Sequence, residues 1–329
     1  MALITLSNDH VEVVLDPDRG GEIQSFVPSG GVNALAYHDW ESPLSADRGP
    51  SYGSTELDWL SRYNAGWQSL FPNAGAECMV DGVPVAFHGE ASFARMRVDE
   101  VEPTSCQLTT WARLPLRMTR TVAISAARPA LLVRETVENI GAGPVAFIWG
   151  HHPTFPAYSG AVIDTPGTRV VIEAQTPGNL KPGAGTWPRL EAAEGGTANA
   201  SVITSESMVR LLYLTDLGEG WVALRNEAAV ESGSPGIAMA WDLEAYPHMW
   251  MWLQNGDSGF PWYGRARMIG LEPQRSWPFD GLAGAIERGQ AVILEPGTTT
   301  SSWITLAALP ANSSRPVTGV SREGVVSTT

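Results

Sequence analysis

The groups in this 329-residue sequence best placed for proton-transfer chemistry are a carboxylate and three histidines at the ends of apolar runs. Glu272 closes the run Met268-Ile269-Gly270-Leu271. A carboxylate there is costly to bury without partners, so it is either solvated at a rim or held in a cleft. Burial in a cleft would raise its pKa toward the range of a general base. His88 follows Val85-Ala86-Phe87 and precedes Gly89, a residue that permits a sharp turn or a close approach to a ligand. His151 and His152 are adjacent in Trp149-Gly150-His151-His152-Pro153-Thr154-Phe155. On a strand their side chains point to opposite faces, so one can face a cleft while the other faces core or solvent. The same geometry keeps them from chelating one metal. Cys78 and Cys106 offer no metal-ligand spacing with a nearby histidine and read as two thiols in a reducing compartment.

These residues need a frame of strands. The sequence holds 34 Gly and 24 Pro, and between them lie short runs rich in Val, Ile, Leu, Thr and Trp, the pattern of many strands joined by turns. In Met249–Gln254 the alternation is strict. Met249, Met251 and Leu253 share one face, and Trp250, Trp252 and Gln254 share the other. Helical patterns are limited to Glu56–Arg62 and Gly281–Arg288. The expected fold is therefore all-β, a large antiparallel β-sandwich. Residues 1–310 are read as one domain, 176–202 as a long surface loop, and 311–329 as a polar, mobile tail without a packing pattern.

The composition narrows the partners. Hydrophobic residues make up 43% of the chain, enough for a sizeable core. The net charge of −14 disfavours nucleic acid and anionic membrane surfaces and suits a neutral small molecule. No stretch approaches the ~18 apolar residues of a membrane span. The opening residues MALITLSNDH lack the features of a signal peptide, so a cytoplasmic location is expected. Oligomeric state is not encoded in any visible pattern.

One carboxylate and one histidine suffice to interconvert sugar anomers. A base takes the proton of the anomeric hydroxyl while an acid protonates the ring oxygen. The ring opens, C1 turns about the C1–C2 bond, and the ring recloses on the other face, with no metal or cofactor. Trp252, more than Trp250, offers a surface on which a sugar could stack, and the Gln254 amide could bridge its hydroxyls.

The chain resembles the galactose mutarotase-like, or aldose 1-epimerase, family. Gly270-Leu271-Glu272-Pro273-Gln274 is similar to that family's catalytic glutamate segment, His152-Pro153-Thr154-Phe155 to its His-Pro-Tyr-Phe segment, and His88-Gly89 to its His-Gly segment. Gly20-Gly21-Glu22-Ile23 and Gly66-Trp67-Gln68-Ser69-Leu70-Phe71-Pro72-Asn73 resemble earlier landmarks, and the order along the chain agrees. The resemblance implies the family's supersandwich, with Glu272 as general base and His152 as general acid. It places His88 and Asn73, with Trp252 and Gln254, on a sugar substrate. Because the reaction needs acid and base on the same ring, His88, His152 and Glu272 are expected to meet in one cleft, with a gap of several ångströms for a pyranose. Two positions depart from the pattern: Ala74 stands where better-known members have Arg, and Thr154 replaces the Tyr of the second segment. Asp242 is a weak candidate for the aspartate that contacts sugar hydroxyls in those enzymes.

The leading reading is an aldose 1-epimerase acting on a free aldose. The alternative is a non-catalytic sugar-binding or regulatory module on the same scaffold. Two minor variants are a glycosidase, in which Glu90 or Asp242 would partner Glu272, and a phosphorylated substrate held by Arg265, Arg267 or Arg275.

Overall fold

The computed structural model describes residues 2–38, 53–226, 236–310 and 313–329. Two large antiparallel sheets dominate the described residues, in keeping with the expected all-β sandwich. The first has twelve strands and runs from Ile4–Ser7 at one edge to Thr197–Asn199 at the other. At its centre, in spatial order, lie Trp67–Leu70, Gly150–Pro156, Arg267–Gln274, His248–Asn255 and Met208–Thr215. The second sheet has eight strands, from Val162–Asp164 to Arg97–Glu102.

Period-two patterning explains which residues enter the core. In Leu116–Ile124 of the second sheet, Leu116, Met118, Arg120, Val122 and Ile124 are all buried, and the residues between them are half-buried. Their counterparts in the first sheet include Leu212, Met249, Met251, Ile269 and Leu271. The centre of the first sheet is buried on both faces. A second cluster, built on Trp59, Tyr63, Phe87, Trp262 and Met268, covers the face that carries Glu272.

Among the described residues, the two α-helices fall where the pattern placed them. Helix α1 spans Thr55–Arg62, is capped by the Ser54 hydroxyl accepting the Leu57 N–H, and buries Trp59. Helix α2 spans Gly281–Glu287. No helix among the described residues is long and apolar enough to cross a membrane.

Two segments read as irregular are folded. Within 176–202, the strands Gly183–Thr186, Arg189–Glu191 and Thr197–Asn199 extend the edge of the first sheet. They are too short, and too poor in β-branched residues, for alternation to announce them. The stretch 311–329 is not a tail without packing, although its first two residues lie outside those described. Val317–Val320 and Val326–Thr328 form a hairpin. Val317, Val320 and Val326 pack on Trp221, Ala223, Ala238 and Ala240 of the second sheet. Small side chains on that sheet leave an apolar surface that a few valines suffice to cover.

Candidate active site

Register brings the proton-transfer residues together. The strand Gly150–Pro156 pairs with Arg267–Gln274 so that Gly150 lies opposite Gln274 and Thr154 opposite Gly270, which brackets His152 and Glu272 on one face. On the other side of Glu272 the next strand sets Trp250 opposite it, and Trp252 opposite Gly270. The even-numbered positions of three strands thus share one face, and His151, at an odd position, turns into the sandwich.

The cleft on this face has a volume of about 190 Å³. Trp59 and Leu60 of α1, Phe87, Trp250, Trp252 and Phe279 form its walls, and His88, His152, Thr176 and Glu272 are among its polar lining groups. Glu272 is 2% exposed. Its Oε1 lies 3.4 Å from His152 Nε2, and its Oε2 accepts the Gln274 amide N–H at 3.3 Å. Burial is the dominant effect on both members. It pushes the Glu272 carboxyl well above its ordinary range and brings the His152 imidazole down to about 4.

The contact corrects one expectation. The acid and base close on each other, leaving no gap for a ring between them. The two oxygens they must serve, the anomeric hydroxyl and the ring oxygen, are both bonded to C1. Adjacent groups are therefore suited to a sugar lying across the pair.

His88 enters from the loop after Val83–Val85. Its backbone is left-handed (φ 56°), as is that of Gly89 (φ 73°). A non-glycine residue there is strained by roughly 1–3 kcal/mol. Gly89 is required sterically as well, because a Cβ would meet the Phe71 carbonyl oxygen at 2.3 Å. His88 Nδ1 accepts the Gly75 N–H at 3.0 Å, so the ring proton sits on Nε2. Burial, and then the neighbouring His152, keep this ring neutral, with its pKa well below the ordinary value. A neutral Nε2–H is a donor suited to a sugar oxygen.

Other expected site residues have different duties. Asn73 is fully buried and bonded to backbone: Nδ2 donates to Ala76 and Ala86 carbonyls at 2.8 and 2.9 Å, and Oδ1 accepts the Leu282 N–H at 2.7 Å. It ties the His88 loop to α2 and does not line the cleft. Gln254 is buried, and its Oε1 accepts the Asp257 N–H; it does not line the cleft either. Trp252 does, and so does Trp250, whose indole N–H donates to the Ser276 carbonyl. Asp242 lines a separate polar recess with Glu244 and Arg275. Glu90 pairs with Arg113 and lines another recess with Trp59 and Phe87. Neither carboxylate partners Glu272, which removes the glycosidase arrangement. Arg265, Arg267 and Arg275 are also absent from the lining. Arg265 Nε and Arg275 Nε donate to backbone carbonyls, and Arg267 Nη1 donates to Asn255 Oδ1.

Three residues of the site carry duties that the motifs do not announce: Gln274, itself the last residue of the Glu272 segment, and two from α1 and its cap. Gln274 orients Glu272 and sits two residues further along the same strand, so alternation could have found it. Trp59 and Tyr63 come from α1 and its C-terminal cap, which carry no local signal of the site. The Tyr63 hydroxyl lies 3.1 Å from His152 Nδ1 and 2.5 Å from Thr154 Oγ1. A phenol thus stands beside Thr154, at the position where the second motif departs from the family pattern.

Gly270 is a second glycine with a steric duty. A Cβ there would lie 2.4 Å from Glu272 Oε1. Gly270→Ala is expected to displace the carboxylate by a fraction of an ångström and to lower turnover by about 10²-fold, the scale for small misplacements. Circular dichroism should match wild type, because alanine is tolerated in a strand. Unchanged turnover in steady-state rates would show that the site adapts.

No protein-family model matches the chain, and a search of curated protein sequences finds no match. Solved structures do match. A putative aldose 1-epimerase from Escherichia coli K12 aligns with a TM-score of 0.63 at 17% identity, covering 93% of this chain and 98% of that one. The Slr1438 protein of Synechocystis sp. PCC 6803 aligns at 0.66 and 15%, covering 94% and 96%. A GalM/aldose epimerase homologue from C. elegans aligns at 0.62 and 11%, covering 94% and 99%. With almost the whole of each chain superposed at such low identity, this protein has the galactose mutarotase-like fold and is a divergent example of it.

Proposed function

We propose that this protein is an aldose 1-epimerase that interconverts the α and β anomers of a free aldose. The observation that carries the reading is the buried Glu272–His152 contact at 3.4 Å in an aromatic-walled cleft. Proton counting defines the working state. Burial favours the protonated form of Glu272 and the neutral form of His152. Moving that proton from Oε1 to Nε2 gives carboxylate and imidazolium with no change in net charge. A sugar whose anomeric hydroxyl donates to Glu272, and whose ring oxygen accepts from His152, stabilises this ionised form.

Glu272 then takes the anomeric proton as His152 Nε2–H protonates the ring oxygen. The C1–O5 bond breaks and C1 becomes a carbonyl. After rotation about C1–C2 the same two protons return and the ring closes. His88 Nε2–H and the indole faces of Trp252 and Trp250 hold the substrate. No step requires a metal or cofactor.

Exchange NMR with common aldoses, free and phosphorylated, tests the proposal: purified protein should transfer saturation between anomers faster than the uncatalysed exchange. If no aldose shows acceleration, the reading is wrong. The pH profile adds a second check. The pair must carry one shared proton, and a second proton binds His152 only near pH 4. The acid limb of kcat/KM should therefore fall near pH 4, well below the ~6.5 of an ordinary imidazole. A limb at 6.5 would place the essential group elsewhere.

A further inference from the structure

We propose that Tyr63 is a positioning residue for His152: its phenol oxygen, oriented by Thr154, accepts the Nδ1 proton of the imidazole and so reserves Nε2 for proton exchange with Glu272. The inference rests on the epimerase reading only for its catalytic consequence; the arrangement of protons follows from the hydrogen-bond geometry together with the burial that favours a protonated Glu272.

Glu272 Oε2 is occupied by the Gln274 amide N–H, a donor. Burial favours the protonated carboxyl, and with Oε2 accepting from Gln274 its proton is placed on Oε1, where the neighbour is His152 Nε2. To accept that proton Nε2 must be bare, which puts the ring proton on Nδ1. Nδ1 faces two hydroxyls, Tyr63 at 3.1 Å and Thr154 at 3.3 Å. With Tyr63 accepting from Nδ1, its own O–H donates to Thr154 Oγ1, which lies closer to Tyr63 than to the ring. Burial raises the phenol well above its ordinary pKa, so it stays protonated and keeps this orientation.

The same Nδ1–H is retained in the imidazolium form, so Tyr63 serves one geometry through the whole cycle. A carboxylate in its place would also accept from Nδ1, but it would favour the imidazolium permanently. A neutral phenol leaves the acid free to give up its proton. The phenol is itself locked. Trp59 stacks on it with centroids 4.4 Å apart and planes at 21°, and Trp262 meets it edge-on at 5.8 Å. Helix α1 and its C-terminal cap thus build both the cleft wall and the support of the imidazole.

The test is side-chain ¹⁵N NMR of histidine-labelled full-length protein without substrate, for wild type, Tyr63→Phe, Thr154→Val and Thr154→Ser. Wild type at neutral pH should show His152 as the Nδ1–H tautomer. Tyr63→Phe should lose that preference, Thr154→Val should weaken it, and Thr154→Ser should preserve it. In anomer exchange, Tyr63→Phe should lower kcat by roughly 10–100-fold with KM little changed, the scale typical of groups that orient a reactive ligand. Thr154→Ser should retain wild-type kcat. An Nε2–H tautomer in wild type, or an unchanged tautomer in Tyr63→Phe, overturns the proposal. If the Nδ1–H tautomer is found and no aldose is turned over, the positioning stands and the epimerase reading falls.

Discussion

Glu272→Gln is expected to slow anomer interconversion by at least ~10²-fold, the usual scale for loss of a general base. The amide preserves the length of the side chain and its place beside Gln274 and His152, and it cannot take a proton from the anomeric hydroxyl. Sugar affinity should change far less, because the amide still bonds to hydroxyls and the aromatic walls are untouched. His152→Asn should give the same pattern through loss of the acid. Trp252→Ala should do the reverse, weakening binding more than turnover, because its ring lines the cleft without touching the exchanged protons. Saturation-transfer NMR on one bound sugar measures both quantities. A protein that only binds sugar would show affinity lost in Trp252→Ala and no catalysis to lose in Glu272→Gln. Wild-type turnover in Glu272→Gln would refute the mechanism outright.

That one of His151 and His152 faces a cleft was legible from strand parity, and the family resemblance pointed to His152 as the partner of Glu272. Their contact distance was not legible. It depends on the pairing of Gly150 with Gln274 and of Thr154 with Gly270, a register between strands more than 110 residues apart. Asn73 shows a second limit. Its motif drew it toward the substrate, yet its partners, the Ala86 carbonyl and the Leu282 N–H, lie 13 and 209 residues away. A polar residue beside a catalytic segment can be spent on shaping the loops around it. Tyr63 marks the opposite failure. Nothing in Glu56–Arg62 distinguishes a surface helix from one whose C-terminal cap supports a catalytic ring.

The fold shows the same division. Alternating strands such as Met249–Gln254 declared themselves through their own periodicity. The edge strands of three or four residues and the valine hairpin near the C-terminus are specified by the surface they cover. Their pattern lies in Ala223, Ala238 and Ala240 as much as in their own residues.

His151, the odd-numbered neighbour, leads to the second large effect. It turns into the sandwich and meets a charge pair with almost no solvent contact, Arg120 at 0% and Glu135 at 1% exposure. Trp67 Nε1, which can only donate, bonds to His151 Nδ1 at 3.0 Å, so the ring proton sits on Nε2. Nε2 lies 3.3 Å from Glu135 Oε2. Burial alone would raise the Glu135 carboxyl. The hydrogen bond from the His151 ring, the Arg120 guanidinium and the Ser69 hydroxyl outweigh it and hold the carboxyl below its ordinary range. Arg120 also donates to the Gly21 carbonyl at 3.1 Å, which joins the second sheet to the chain turn before Ile23.

Glu135→Ala strips the compensation from a buried guanidinium and should cost about 3–5 kcal/mol of unfolding free energy. Replacing both partners, with Arg120→Met and Glu135→Leu together, removes the charge and its need for compensation. The double variant should recover most of the loss, since a well-packed apolar pair is often neutral relative to a buried ion pair. Urea denaturation of wild type, the single variant and the double variant measures both steps. A cost below ~1 kcal/mol for Glu135→Ala would mean that the Arg120 charge finds compensation elsewhere. A double variant as unstable as the single one would show that the network acts through shape and hydrogen bonding rather than charge. Because His151 also offers its carbonyl to Gln274, the amide that orients Glu272, the single variant should lose turnover along with stability, and the double variant should regain both.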